Sequence, residues 1–219
     1  MGDKAFESEE LRRFHKACRE GKALEIANDR SISPSILNTR SVVTGRTAVH
    51  EACANGHHDI LEELLKRGAD TQKKTFLGGD TPLHLAVRSG QRSLVFLLLR
   101  HGCDPNVPNK YQGTCFHYAS SKPAIAKLLL RFGGKVSLRD SSRKTPRDYI
   151  NESCPNNREL NRMMKDAFDR EERERVEAEL VLVREEEYHA NAKRREANES
   201  REREKTEKTA SEYKKWRGG

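Results

Sequence analysis

Aromatic residues are scarce in this chain, at 6% of its 219 residues, and the longest apolar run is Leu94-Val-Phe-Leu-Leu-Leu99. A bilayer-spanning helix needs about 20 apolar residues, so no segment is expected to cross a membrane. The opening MGDKAFESEE has no apolar signal core, and Phe6 stands where a myristoylation signal takes Ser or Thr. The cysteines are Cys18, Cys53, Cys103, Cys115 and Cys154, with no CxxC pair. Such an odd, scattered set argues for reduced thiols and against zinc, whose structural sites use closely spaced ligand pairs. GxSxG, P-loop, HExxH, dinucleotide and kinase motifs are all missing. These absences lead us to expect no enzyme activity, metal, cofactor, small-molecule substrate or membrane insertion. The expected location is the cytoplasm, with the nucleus open.

Charge is abundant instead. The chain is 35% charged against 34% hydrophobic, with a formal net charge of +8. A single compact globule of this length is normally more apolar, so part of the chain is expected to lie outside any core.

The remaining pattern is a repeat. TAVHEA begins at Thr47, TPLHLA at Thr81, TCFHYA at Thr114 and TPRDYI at Thr145, and FHKACREG (Phe14 to Gly21) matches VHEACANG. The second halves ILEELLKRGADTQ, LVFLLLRHGCDPN and IAKLLLRFGGKVS each read as an apolar helix closed by glycine. Motif and period together resemble the ankyrin repeat. The resemblance implies an all-α solenoid of helix-turn-helix units with β-like fingers, each stacked on its neighbours because one unit cannot bury its own apolar face. Units are expected near 8–44, 45–78, 79–111, 112–142 and 143–168, after a leader at 1–7. The resemblance also implies that His50, His84 and His117 are structural, each ring bonding the neighbouring turn and loop. Their recurrence at the repeat period argues against catalysis.

Three units depart from the pattern. In the first, Ser8 can cap a helix that opens with Glu9 and Glu10, and the outer helix after Gly21 is short, as suits an N-terminal cap. The fourth lacks the glycine between its helices and carries Lys122-Pro123 there, so Pro123 is expected to start the outer helix after a tightened turn. In the fifth, Asp148 replaces the histidine. Its closing helix, capped by Asn156 or Asn157, has an apolar stripe of Leu160, Met163, Met164, Ala167 and Phe168.

Residues 169–219 form a charged tail. Of residues 169–217, 14 are basic and 15 acidic, and apolar residues are too sparse for a coiled coil. Opposite charges recur at i,i+4, as in Arg170–Glu174 and Arg195–Glu199. Nine such pairs at about 0.3 kcal/mol each bias a marginal helix, and acids precede bases, the order a helix dipole favours. A long single helix is expected, from Asn157 to about Trp216 and on the order of 90 Å at about 1.5 Å per residue. Leu180, Leu182, Tyr188, Tyr213 and Trp216 are its candidate docking points. Arg217-Gly218-Gly219 reads as a simple helix end.

The tail does not account for the net charge. Outside it stand 28 basic and 19 acidic residues, a balance of +9. Arg40, Arg46, Lys73, Lys74, Lys110, Arg139, Arg143 and Lys144 fall on predicted fingers, with Phe76 and Tyr111 among them. Inner-helix positions expected to face the concave side are Glu51, Asn55, Leu85, Arg88, Ser89 and Tyr118. A basic row with exposed aromatics suits an acidic protein surface. The expected function is a non-enzymatic adaptor or scaffold with at least two protein partners. Tubulin or other axonemal proteins of a cilium or flagellum are candidates, because their surfaces are acidic and a rod can follow a filament. The alternative is a nucleic-acid-associated factor, although no reading module is present.

Overall fold

The computed structural model describes residues 8–28, 32 and 34–217. The leader at 1–7, Gly218-Gly219 and the side chains of Tyr213 and Trp216 lie outside the described residues. The chain divides into two units, Met1–Asp169 and Arg170–Gly219.

The first unit opens with α1 (Glu9–Glu20), whose Leu11 N–H donates to the Ser8 hydroxyl at 3.3 Å and which ends at the left-handed Gly21. The short α2 (Ala23–Asn28) and α3 (Pro34–Leu37) follow. Two full helix pairs come next, α4 (Ala48–Asn55) with α5 (His58–Lys66), and α6 (Pro82–Ser89) with α7 (Arg92–Arg100). Thr47 and Thr81 head α4 and α6, and in both the hydroxyl lies 2.8 Å from Nδ1 of the histidine three residues on. Alanines 52 and 86 are fully buried where α1, α4 and α6 pack side by side. Such small side chains let the inner helices approach closely. Leu61, Leu64, Leu94, Leu98 and Leu129 fill the layer between inner and outer helices. Among the described residues every regular element is helical and no strand forms.

The fourth repeat is shortened differently from the sequence expectation. Its inner helix is a single 3-10 turn, His117–Ala119, followed by α8 (Pro123–Arg131). A 3-10 turn rises about 2.0 Å per residue against about 1.5 Å for an α-helix. The three-residue turn rises about 6 Å against about 12 Å for the eight residues of α6, so the deletion falls on the helix as well as on the connecting turn. Pro123 does stand at the start of α8.

The fingers are closed by backbone bonds rather than strand ladders. Ser41 N–H donates to Arg46 O, Thr75 N–H to Asp80 O, Asn109 N–H to Gly113 O and Asp140 N–H to Lys144 O. Among the described residues two backbone bonds join finger to finger, Lys110 N–H to Gly78 O and Ser141 N–H to Tyr111 O, both at 2.9 Å. The corner of each finger is left-handed, at Gly45, Gly79, Gln112 and Arg143.

After α9 (Pro146–Ser153) comes α10 (Arg158–Arg217), a continuous helix of 60 residues. Asn157, one of the two expected caps, accepts from the Leu160 N–H at 3.0 Å. Leu160, Met164 and Ala167 on its first turns are buried against the repeats.

Candidate protein-interaction surface

The repeat histidines hold the solenoid together. The Thr47 N–H donates to Nδ1 of His50 at 3.2 Å, so that nitrogen is the acceptor, and Nε2–H donates to Asp80 O at 3.1 Å. His84 makes the same pair of bonds with Thr81 and Gly113, and His117 with Thr114 and Lys144. Each ring ties its own helix start to the end of the next finger. Burial pushes the His50 pKa down to about 4 and lowers those of His84 and His117. His15 joins the series through a 3.2 Å contact from Nε2 to Thr39 O. At the last inner helix Asp148 accepts from Thr145 N–H and its hydroxyl, both at 2.8 Å. It completes the local cap, and among the described residues its side chain bonds only Thr145.

The residue after each histidine turns to its own finger, which corrects part of the concave-face reading. Glu51 is buried; it accepts from the Thr44 hydroxyl at 2.9 Å and pairs with Arg19 and Arg46. Leu85 is buried as well. Tyr118 is half-buried, its hydroxyl accepting from Asn109 Nδ2 at 2.8 Å, and the Tyr149 hydroxyl donates to Asp140 at 2.8 Å. Asn55, Arg88 and Ser89 remain exposed.

The finger cations act as staples one period apart. Arg40 donates to Lys74 O at 3.0 Å and lies 4.8 Å over the Phe76 ring. The ammonium groups of Lys73, Lys74 and Lys110 donate to the carbonyls of Asn38, Pro108 and Phe76. Arg139 donates to Arg143 O, and the Arg143 side chain is exposed. Carbonyl bonds do not neutralise these charges. Arg46, Arg88 and Lys144 differ, because they face Glu51, Asp80 and Glu152. Three of the nine cations expected to bind are thus partly compensated in place.

Between the cations runs an apolar row that the sequence reading caught only at Phe76 and Tyr111. Val43 is 81% exposed, Leu77 85%, Phe76 57% and Tyr111 61%, with Val42 beside them. They occupy successive fingertips, so the row has the repeat period. The available signal was an apolar residue recurring in a turn, where polar residues are usual.

On the second unit Val176, Leu180, Val181, Leu182 and Tyr188 are exposed, and Arg175 pairs with Glu172 at 2.6 Å. Among the described residues no His, Cys, Asp and Glu side chains cluster as metal ligands, and no helix is long and apolar enough to cross a membrane.

Residues 14–109 match the family model described as ankyrin repeats (3 copies). The chain is similar to an ankyrin repeat protein of fowlpox virus (strain NVSL), 37% identical over 106 residues that cover 45% of this chain and 31% of that one. It is also similar to ankyrin repeat and SOCS box protein 5 of Mus musculus, 36% identical over 102 residues, covering 45% and 30%. Protein phosphatase 1 regulatory subunit 12A of Mus musculus is 31% identical over 124 residues, covering 57% and 12%. The chain thus spans less than a third of each relative. Repeat motif, histidine bonds across three junctions, stacked helix pairs and family match agree that residues 14–109 carry ankyrin repeats, a helical repeat that mediates protein–protein interaction.

Proposed function

We propose that this protein is a non-enzymatic adaptor whose fingers hold an acidic protein partner and whose charged helix lies along a second protein. The carrying observation is the row of exposed fingertip side chains Val43, Phe76, Leu77 and Tyr111 set among cations. Of these cations Arg40, Lys73, Lys74, Lys110 and Arg139 have no carboxylate partner among the described residues. Apolar side chains in water favour a covering partner, and the uncompensated charge attracts an acidic one. A cytoskeletal filament, such as a microtubule of a cilium or flagellum, meets both requirements and gives the charged helix a surface to follow. Cytoplasm is the compartment this reading entails.

Co-sedimentation of the full chain with polymerised tubulin, at two salt concentrations, tests the filament reading. Binding is expected at low salt and weakened by Leu77→Asp. Absence of binding at low salt contradicts the filament, and an unaffected Leu77→Asp variant contradicts the fingertip row. The second reading, a nucleic-acid-associated factor, draws on the +9 balance outside the tail. It requires duplex DNA affinity that falls steeply with salt.

A further inference from the structure

We propose that a cavity on the outer helices of the repeat domain binds a phosphate monoester carried on a protein side chain. The cavity measures about 390 Å³ and is lined by Arg92, Pro123, Ala124, Lys127, Leu128 and Arg131. Arg92 heads α7, and the other five are spread along the nine residues of α8. The site is therefore separate from the fingertip row, and its failure would leave the adaptor reading standing.

Half of its lining is short or apolar, Pro123, Ala124 and Leu128, and half is cationic, Arg92, Lys127 and Arg131. Arg92 and Arg131 are exposed and pair with no carboxylate among the described residues, whereas Lys127 pairs with Glu159 at the start of α10. Three cations less one carboxylate leave a local charge of +2, which matches a phosphate monoester that carries about −1.5 to −2 near neutral pH. Two guanidinium groups lining one cavity, neither paired with a carboxylate among the described residues, offer the forked donors that phosphate oxygens accept in pairs. Ala124 is the second residue of α8, so its N–H is one of the first four that an α-helix leaves without an internal partner, and it lies at the positive end of the helix dipole. A lone carboxylate would leave the site with excess positive charge. Because both arginines are exposed, a phosphate carried on a side chain can reach them while its parent backbone stays outside. Glu159 is the built-in competitor: the Lys127 ammonium, by hydrogen bond and then by charge, holds its carboxyl below the usual value, with Arg131 contributing.

The test uses the full chain and fluorescence polarisation with four probes. These are a degenerate peptide library centred on phosphoserine, the same library with serine, inorganic phosphate, and vesicles bearing phosphoinositide. The phosphoserine library is expected to bind at least about tenfold more tightly than the serine library, the scale of a charge-assisted contact. The Arg92→Glu/Arg131→Glu variant should abolish that preference, and Arg92→Lys/Arg131→Lys, which keeps the charge but loses the forks, should reduce it. Glu159→Gln should strengthen binding by freeing Lys127. A finger variant with the same change in net charge, Lys73→Glu/Lys74→Glu, should keep the preference. Equal loss in the two charge-reversal variants would show a general positive field and overturn the proposal. Inorganic phosphate or vesicles bound as tightly as the phosphoserine library would overturn it too, as would no discrimination between the two libraries.

Discussion

His84 reaches across a repeat junction to donate its Nε2–H to the Gly113 carbonyl at 3.1 Å, while its Nδ1 accepts the Thr81 N–H. One side chain therefore pairs a helix-start donor and a finger carbonyl that both lie where water does not reach. Replacing it by alanine strands both. His84→Ala is expected to lower stability by about 1–3 kcal/mol, the cost of unpairing buried polar groups. Urea denaturation measures it, and an unchanged midpoint contradicts the junction role.

The same bonds set a pH dependence. Burial holds the His50 ring neutral, with its pKa at about 4 when folded against 6.5 as the ordinary value, and His84 and His117 shift in the same direction. A depressed folded pKa gives stability that is whole above about pH 6.5 and is lost as pH falls through that value toward 4. For His50 alone the loss approaches about 3 kcal/mol at pH 4. Denaturation midpoints measured from pH 7.5 to 4.5 should fall steadily, and a flat profile contradicts the buried neutral rings.

Fingertip and staple substitutions should separate. Leu77 is 85% exposed, so Leu77→Asp should change stability by no more than about 0.5 kcal/mol. Lys74→Ala removes an ammonium bond to Pro108 O and should cost about 1 kcal/mol. Thermal unfolding of the two variants side by side checks this, and equal stability of both would refute the staple.

Finger corners respond according to their neighbours. Gly79 has φ +68°, and a Cβ there would sit 3.0 Å from the Lys110 backbone nitrogen, which bonds Gly78 O. Gly79→Ala should cost about 2 kcal/mol, part left-handed strain and part the displaced finger. Gln112 already occupies the equivalent corner at φ 58°, so Gln112→Gly should raise stability by about 0.5–1 kcal/mol. Opposite signs in a melting experiment are the expected result.

Truncation should distinguish cap from tail. Deleting 170–219 is expected to leave residues 8–169 folded, because Leu160, Met164 and Ala167 remain to cover the last repeat. Deleting 145–219 removes Ile150 and those three buried side chains and should cause aggregation, seen by light scattering. Identical behaviour of the two truncations contradicts the capping role of early α10.

The solenoid was legible because its information is local and repeated. Thr47, Thr81 and Thr114, each followed three residues later by a histidine, report helix start and junction bond in four letters. The period then implies stacking, since no single unit can bury its apolar face. Asn157 as a cap and Pro123 as a helix start were readable for the same reason: each acts within one turn of its own position.

Other features depend on what a residue meets after stacking, and no local pattern states that. Lys73, Lys74 and Lys110 look like a free basic row in sequence, yet the neighbouring fingers place carbonyls within reach of their ammonium groups. Glu51 reads as a concave-surface acid but is buried beside Thr44, Arg19 and Arg46, contributed by different elements. The cavity between Arg92 and Arg131 joins residues 39 positions apart, which only the packing of α7 on α8 brings together. Sequence alone determined the repeat, its caps and its helical character, because propensity and capping are set within a few residues. Tertiary structure decided which charges are spent on neighbouring backbone and which remain available, because that depends on the distance between groups on different repeats.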